Sequence, residues 1–188
     1  MRPLFVIEDI HSAGRASLFT IAGIRIEATR YAWLAPITWM IIGLFIAALD
    51  RHNGTLVSLV GRAAFYGAAL YSSNLFHSLG HIVAGKMVHA PMDILLLTST
   101  RDVTLYLAGP AAYPAKACIG RSLGGPIANL GVALLSFGIA VPLGAPWLQS
   151  FGTMNVALGL WTLCPIPTMD GWVIWRGLLG GRANGVQR

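Results

Sequence analysis

One apolar segment, Tyr31 to Leu49, limits most strongly what this chain can fold into. It reads YAWLAPITWMIIGLFIAAL and contains no charged side chain. A helix needs about 20 such residues to cross the hydrocarbon core of a bilayer. Pro36 lies near the start, where proline disturbs a helix least. Residues 1–30 contain acidic side chains and no apolar core followed by a small-residue cleavage site, so we predict a retained span rather than a signal peptide.

The composition of the whole chain agrees with a membrane protein. Of its 188 residues, 55% are hydrophobic and only 11% are charged, whereas soluble domains carry about 25% charged residues. The length fits one domain, residues 1–188. Two cysteines, Cys118 and Cys164, indicate no disulfide framework. The formal charge of +6 comes from basic residues scattered between apolar runs, so nucleic-acid binding is not expected.

Three further membrane spans are predicted, at about residues 63–84, 124–143 and 151–179. A polar turn at residues 50–54 separates the first span from the second. Pro165 and Pro167 must interrupt the last span midway. Such a break is tolerated at membrane depth only where the freed backbone faces protein or a cavity.

Two segments outside the spans predict strands. Residues 92–111 have apolar halves on either side of a polar STRD turn, and residues 16–28 have a similar pattern with Gly23 at the turn. Both predict β-hairpins that could pair at the membrane surface. The predicted fold class is therefore an all-α membrane protein with about four transmembrane helices and short surface β-hairpins, with residues 1–30 as a cytoplasmic surface strand segment.

The basic residues predict the orientation in the membrane. Eleven of the 13 lie before the first span, between the second and third spans, or at the C-terminal end. Only Arg51 and Arg62 fall on the other side. We therefore expect a multi-pass protein with both termini in the cytoplasm.

Two histidines and one aspartate form the candidate site. His77 and His81 are four residues apart, so a helix places both imidazoles on one face. Asp170 is the only acidic residue within the predicted spans, where a carboxylate costs a few kcal/mol or more unless it is paired or binds a cation. Two histidines and a carboxylate are a ligand set for catalytic zinc. The histidine pair alone is more typical of packing, hydrogen bonding or haem ligation, and Asp170 shifts the interpretation to zinc.

Three motifs carry a family resemblance: HSLGH at residues 77–81, GPIAN at 125–129 and PIPTMDG at 165–171. In this order they resemble the motifs of the site-2 protease family of intramembrane zinc metalloproteases. Residues 23–39 are also similar to the surface strand and leading span of its short bacterial members. The resemblance covers most of the chain. It implies a site-2-protease-like core in a prokaryotic cytoplasmic membrane.

The resemblance also implies roles for individual residues. His77, His81 and Asp170 match the family's ligands for Zn²⁺. Asn129 and Asn155 match asparagines near the active site that are thought to hold substrate or polarise its carbonyl. An interhelical hydrogen bond is the alternative role for each asparagine. The implied partners are transmembrane segments of other membrane proteins, within the lipid bilayer.

The chain departs from the family's pattern at two positions. Ser78 stands where the HExxH motif has its catalytic glutamate, and Thr162 stands where the family has a further asparagine. The glutamate takes a proton from the attacking water and delivers it to the leaving amine. A serine hydroxyl has no such proton affinity at neutral pH, and this help is worth about 10²–10⁴-fold in rate. The expected protein is therefore an impaired protease that binds transmembrane segments without cutting them.

Two other interpretations stay open. An active zinc endopeptidase could take its base from elsewhere, and Asp93 or Asp102 in the hairpin segment could be brought over the site by a loop. Alternatively, the histidine pair belongs to a four-helix membrane protein without zinc, such as a haem module. His89 would lie near the mouth of the site if the helix continued past His81, but it is expected in an interfacial loop. Cys164 is expected as a small buried residue rather than a ligand.

Overall fold

The computed structural model describes residues 14–50, 55–107 and 113–180. In chain order the elements are β1 (Ala16–Ile21), β2 (Ile24–Ala28), a 3-10 helix (Ala32–Leu34), α1 (Ala35–Leu49), α2 (Leu56–Met87), β3 (Ile94–Leu97), β4 (Asp102–Leu105), α3 (Ala115–Leu143), α4 (Pro146–Thr162) and α5 (Asp170–Leu178). Parts of three predicted segments lie outside the described residues: residues 1–13 of the N-terminal segment, 51–54 of the first turn and 108–111 of the second hairpin segment.

The two predicted hairpins form and join into one four-stranded sheet. β1 pairs antiparallel with β2 across a turn at Ala22 and Gly23, both of which have positive φ. β3 pairs antiparallel with β4, with Leu97 opposite Asp102. β2 and β3 run parallel, which gives the strand order β1-β2-β3-β4. The predicted pairing of the hairpins is therefore confirmed.

The sheet is attached to the last turns of α2. Ile82 of α2 belongs to a buried cluster with Ile24, Ile26, Met92 and Leu95 from the sheet and the segment leading into it. Lys86 near the end of α2 donates a hydrogen bond from Nζ to the Ala22 carbonyl at 2.6 Å. Burial of this apolar surface holds β3 and β4 beside the C-terminal half of α2.

Glycines bring the helix backbones into close contact. A Cβ at Gly67 of α2 would lie 2.7 Å from the Trp39 carbonyl oxygen of α1. Between α2 and α3, a Cβ at Gly80 would overlap the Gly124 carbonyl, and a Cβ at Gly124 would overlap the Gly80 carbonyl. Small residues at such crossings are typical of helices packed within membranes. Where α2 and α3 cross at Gly80 and Gly124, the backbones of the two helices are in direct contact.

Two of the described helical segments are long and apolar enough to cross a membrane, Ala32–Leu49 and Ala115–Leu143. The first covers all but one residue of the first predicted span, and the second contains the whole third predicted span. In the most apolar 18-residue stretch of each segment, only 17% and 28% of the residues are buried, and large apolar side chains such as Phe45 and Leu134 are exposed. Exposed apolar surface of this extent fits a lipid environment better than the core of a soluble protein. The count of four spans stays a prediction.

The helices extend beyond the predicted spans at their N-terminal ends. α2 begins at Leu56 rather than near residue 63, and α3 begins at Ala115 rather than at residue 124. Polar and charged residues such as Arg62 and Arg121 lie within these extra turns. The apolar pattern alone therefore underestimated the helix length, because backbone hydrogen bonding continues past the point where the side chains change character.

Candidate metal centre

The histidine pair lies on α2 at its close contact with α3. The Nε2 atoms of His77 and His81 are 3.1 Å apart. His81 is buried, and its Nδ1 lies 2.8 Å from the Arg121 carbonyl oxygen of α3. If Nδ1–H donates to this carbonyl, the Nε2 lone pair is free to bind a ligand. The predicted placement of both imidazoles on one helix face is confirmed.

Asp170 reaches the histidines because the chain stops being helical between α4 and α5. α4 ends at Thr162, the PIP run at residues 165–167 follows, and α5 begins at Asp170. The interruption required by the two prolines in the last predicted span is therefore present. Gly171 allows the tight return of the chain, because a Cβ there would overlap the Leu163 carbonyl.

The three predicted ligands converge. Asp170 Oδ2 lies 3.0 Å from His77 Nε2, and Asp170 Oδ1 lies 3.3 Å from His81 Nε2. One ligand atom from each of the three residues can be chosen so that all lie within 4.8 Å of one another. Two imidazole nitrogens and a carboxylate oxygen match the donor set of catalytic zinc sites, which leave one coordination position open. We call His77, His81 and Asp170 the ligand cluster.

Gly125 of α3 keeps space open beside the ligand cluster. A Cβ at this position would lie 2.5 Å from His77 Nε2 and 2.6 Å from His81 Nε2. The residues present therefore fit a bound metal ion, since a single added methyl group would fill the space beside both nitrogens. This role of Gly125 was not predicted from the sequence. The available signal was a glycine inside the apolar pattern of a helix, which often has a packing or functional reason.

Asn129 lies one helical turn after Gly125. It is fully buried, and neither atom of its amide has a hydrogen-bond partner within the described parts of the chain. Leaving a buried polar group unpaired costs about 1–3 kcal/mol. Asn155 of α4 is equally buried, but its Nδ2 donates to the Phe151 carbonyl at 2.9 Å. Asn129 therefore retains more unused hydrogen-bonding capacity than Asn155.

Ser78 lies beside a carboxylate from the sheet. This serine is buried, and its Oγ donates a hydrogen bond to Asp102 Oδ2 at 3.2 Å. Asn74, one turn earlier on α2, donates from Nδ2 to the same oxygen at 2.9 Å. Burial raises the pKa of Asp102 to about 6, although the Ser78 hydroxyl and the Arg101 charge act to lower it. One of the two hairpin acids considered from sequence therefore contacts the residue next to His77.

Several other polar residues named from sequence have different roles. Asp93 accepts a hydrogen bond at Oδ2 from the Leu107 backbone N–H at 2.7 Å, which braces the second hairpin. His89 is exposed, has positive φ and lies beyond the end of α2. Thr162 donates to the Gly159 carbonyl at 3.0 Å. Cys164 is partly buried and does not belong to the ligand cluster.

Arg121 contacts the ligand cluster through its backbone carbonyl, and this contact was not predicted from the sequence. It is buried, and its guanidinium carbon lies 3.7 Å from the centroid of the Tyr106 ring. Such stacking is favourable for arginine. The stacking fixes the position of Arg121, and the backbone carbonyl of Arg121 is the group that lies against His81 Nδ1. The sequence signal was a basic residue within the first turns of an otherwise apolar helix.

Comparison with protein-family profiles and with curated protein sequences gives no match. Among solved structures, the fold is similar to that of a site-2 protease from Methanocaldococcus jannaschii. The TM-score is 0.61 at 22% sequence identity, and the match covers 88% of this chain and 72% of that chain. Likeness at this identity concerns the fold alone. This chain therefore has a site-2-protease-like fold: mostly helical, with a small sheet beside the core.

Proposed function

We propose that this protein is an integral membrane protein that binds zinc through His77, His81 and Asp170 and receives transmembrane segments of other membrane proteins at that centre. The observation that carries the proposal is the convergence of three ligand atoms within 4.8 Å. These atoms come from two helices that are far apart in sequence. The site-2-protease-like fold supports the same function.

A zinc ion at this centre would act as a Lewis acid that polarises a peptide carbonyl and makes a water molecule more acidic. The protein supplies the orientation of the ligands. The Arg121 carbonyl fixes the His81 ring, and the start of α5 fixes Asp170. Hydrogen bonds of this kind to ligand side chains raise metal affinity.

The proposed client class follows from the surroundings of the site. Asn129 lies on α3, which is long and apolar enough to cross a membrane, and neither the donor nor the acceptor of its amide is hydrogen-bonded within the described residues. A peptide backbone offers the matching pair, provided that the peptide is locally extended rather than helical. A transmembrane segment that unwinds near the site would present these groups. Asn155 is a second proposed contact through its Oδ1, which accepts no hydrogen bond from the residues that the structure describes.

Ser78 restricts the chemistry that α2 can perform by itself. Its hydroxyl cannot accept and return a proton at neutral pH as a glutamate carboxylate can. Loss of this help lowers the rate about 10²–10⁴-fold. We therefore propose that, with the groups of α2 alone, the site holds transmembrane segments and is impaired as a protease.

A second candidate, an active zinc endopeptidase with its base on another element, is favoured by one observation. Asp102 of the sheet is hydrogen-bonded to Ser78 at 3.2 Å. The haem alternative has no comparable support. Axial ligands of a haem approach the iron from opposite faces of the ring, whereas His77 and His81 extend from one helix and converge on Asp170.

Metal analysis of the purified full chain in detergent tests the proposed function. After incubation with zinc and removal of the excess, we expect about one zinc ion per chain, as in a three-ligand site. His77→Ala and Asp170→Ala should each lose it. Asp93→Asn is the matched control, because this carboxylate braces the hairpin and is not in the cluster. A wild-type protein without zinc, or variants with undiminished zinc, would contradict the proposal.

A further inference from the structure

We propose that Asp102 supplies the carboxylate that α2 lacks at Ser78 and acts as the general acid–base for peptide hydrolysis at the ligand cluster. The carboxylate comes from the β-hairpin instead of the histidine helix. This inference rests on the proposed function, since it requires zinc at the cluster. If Asp102 acts in this way, the protein is expected to cleave a bound peptide and not only to bind it.

The first support is the pair of hydrogen bonds that orients the carboxylate. Ser78 and Asn74 both donate to Asp102 Oδ2, at 3.2 Å and 2.9 Å. No residue in the described parts of the chain donates a hydrogen bond to the other oxygen, Oδ1. A glutamate has a γ-methylene at the position of the serine hydroxyl and a carboxylate beyond it. In this chain the carboxylate next to the Ser78 hydroxyl is that of Asp102. One oxygen is anchored to α2, and the other remains available for a proton.

The second support is the rigidity of the turn that carries Asp102. Thr98 is buried, and its Oγ1 accepts from the backbone N–H groups of Thr100 and Arg101 at 3.3 Å and 3.2 Å. The same hydroxyl donates to the Arg101 carbonyl at 2.6 Å. These bonds close the turn next to the pairing of Leu97 with Asp102. Side chains on ordered elements hold a reactive group more accurately than side chains on free loops.

The third support links Asp102 to the ligand cluster. Ser78 is the residue directly after His77. In addition, the positive charge of Arg101 interacts electrostatically with Asp102 and with Asp170. The two carboxylates therefore share one neighbouring cation. Asp102 is thus connected to the histidine helix through Ser78 and to the carboxylate of the cluster through Arg101.

The proton chemistry balances with water as co-reactant. The water oxygen bonds to the carbonyl carbon while its proton passes to Asp102. Asp102 then returns that proton to the amide nitrogen as the carbon–nitrogen bond breaks, which regenerates the carboxylate. A general base works best when its pKa is near the operating pH, and burial raises the pKa of Asp102 to about 6. The groups that face Asp102 are Arg101 on its own turn and Ser78, Asn74 and Tyr71 on α2.

The proposal is tested by removing the carboxylate from the hairpin, at Asp102, and by placing one on α2, at Ser78. The assay uses the zinc-loaded full chain in detergent and a synthetic single-span peptide with a Gly-Pro pair at its centre. We expect the wild type to cut this peptide and Asp102→Asn to cut it about 100-fold more slowly. The double variant Ser78→Glu with Asp102→Asn should recover most of the rate. Asp93→Asn, which removes a carboxylate from the same hairpin, should stay within a few-fold of wild type.

Two measurements that do not depend on cleavage complete the test. Asp102→Asn should bind as much zinc as wild type. In the metal-free chain, the infrared carboxyl band that this substitution removes should titrate with a midpoint at about pH 6. A midpoint at the ordinary value of 3.8 would count against the proposal.

The outcomes separate the two proposals. A wild-type chain that binds no zinc contradicts the proposed function. A zinc-loaded chain in which Asp102→Asn leaves cleavage unchanged contradicts only the role of Asp102. A wild type that is inert while Ser78→Glu cuts the peptide also contradicts that role, because the carboxylate from the hairpin would then not substitute for a glutamate.

Discussion

At the level of single residues, the site depends on the space that small side chains leave unfilled. Gly125 leaves room beside two imidazole nitrogens, and Ser78 leaves room for a carboxylate from another element. Asn129 contributes a buried amide that no residue in the described parts of the chain hydrogen-bonds. Unpaired groups of this kind reduce stability, and proteins retain them most often where function requires them.

Gly125→Ala should weaken zinc binding without unfolding the chain. The new Cβ would lie 2.5 Å from His77 Nε2 and 2.6 Å from His81 Nε2, so the imidazoles must move apart. We expect zinc affinity to fall by about 10-fold or more, as when the orientation of a ligand is lost. Competition with a fluorescent chelator measures it. Gly131→Ala, on the same helix with no neighbouring atom within 4 Å of its added Cβ, should match wild type.

Asn129→Leu should stabilise the chain and weaken client binding. Leucine has a similar branched shape and removes a buried amide that has no hydrogen-bond partner among the described residues, a change worth about 1–3 kcal/mol. Thermal unfolding in detergent measures stability, and fluorescence anisotropy of a labelled single-span peptide measures binding. A loss of stability together with unchanged peptide binding would mean that Asn129 serves packing instead.

At the level of elements, two features shape the site: the break between α4 and α5, and the attachment of the second hairpin to α2. The break lets Asp170 turn towards the histidines, which a continuous helix could not do. The attached hairpin buries Asp102 against Ser78. Because this burial disfavours the charged form of Asp102, the hairpin should make folding stability depend on pH.

The stability of the metal-free chain should fall as the pH rises through the range in which Asp102 loses its proton. The native state binds this proton up to a pKa of about 6, whereas an unperturbed aspartate releases it near 3.8. Between these values the native state binds more protons, so the unfolding free energy decreases with rising pH, by about 1–3 kcal/mol. Asp102→Asn should remove this part of the dependence.

Thermal unfolding between pH 4 and pH 7, with chelator present, measures the effect as the difference between wild type and Asp102→Asn. Asp93→Asn is again the matched control, because it changes a carboxylate of the same hairpin whose side chain is bonded to the Leu107 backbone N–H. Identical pH profiles for wild type and Asp102→Asn would show that Asp102 is not buried as described.

At the level of the whole molecule, the apolar outer faces of α1 and α3 should determine where the protein resides. Their exposed side chains include Ile41, Phe45, Leu134 and Leu135. Exposed apolar surface on this scale is stable within lipid and aggregates in water. We propose four membrane spans, with both termini in the cytoplasm of a prokaryotic cell, as the distribution of basic residues indicates.

Membrane topology can be measured with reporter fusions in bacteria. Alkaline phosphatase, which is active only outside the cytoplasm, should be active when fused after Gly144, between α3 and α4. It should be inactive when fused after His89, between α2 and the second hairpin. The protein should also stay in the membrane during an alkaline carbonate wash. The opposite fusion pattern would reverse the proposed orientation, and release by the wash would contradict membrane insertion.

The sequence by itself predicted the elements, apart from the first turns of α2 and α3, and all three residues of the ligand cluster. Periodicity and proline positions are local signals, so the hairpins, the helices and the interruption before Asp170 could be predicted from short stretches. The helical spacing of His77 and His81 is equally local. The rarity of acids in apolar segments then singled out Asp170.

Only the tertiary structure decided which carboxylate stands beside Ser78. Asp93 and Asp102 are both aspartates and both lie in the second hairpin segment, so the sequence does not distinguish them. Which of them contacts α2 depends on strand register and on the parallel pairing of β2 with β3, two strands far apart in sequence. The space at Gly125 likewise depends on the crossing of α2 and α3. Packing between distant segments produces no periodic pattern in the sequence. Its energy comes from contacts between segments, whereas periodicity reports only the order of residues within a single segment.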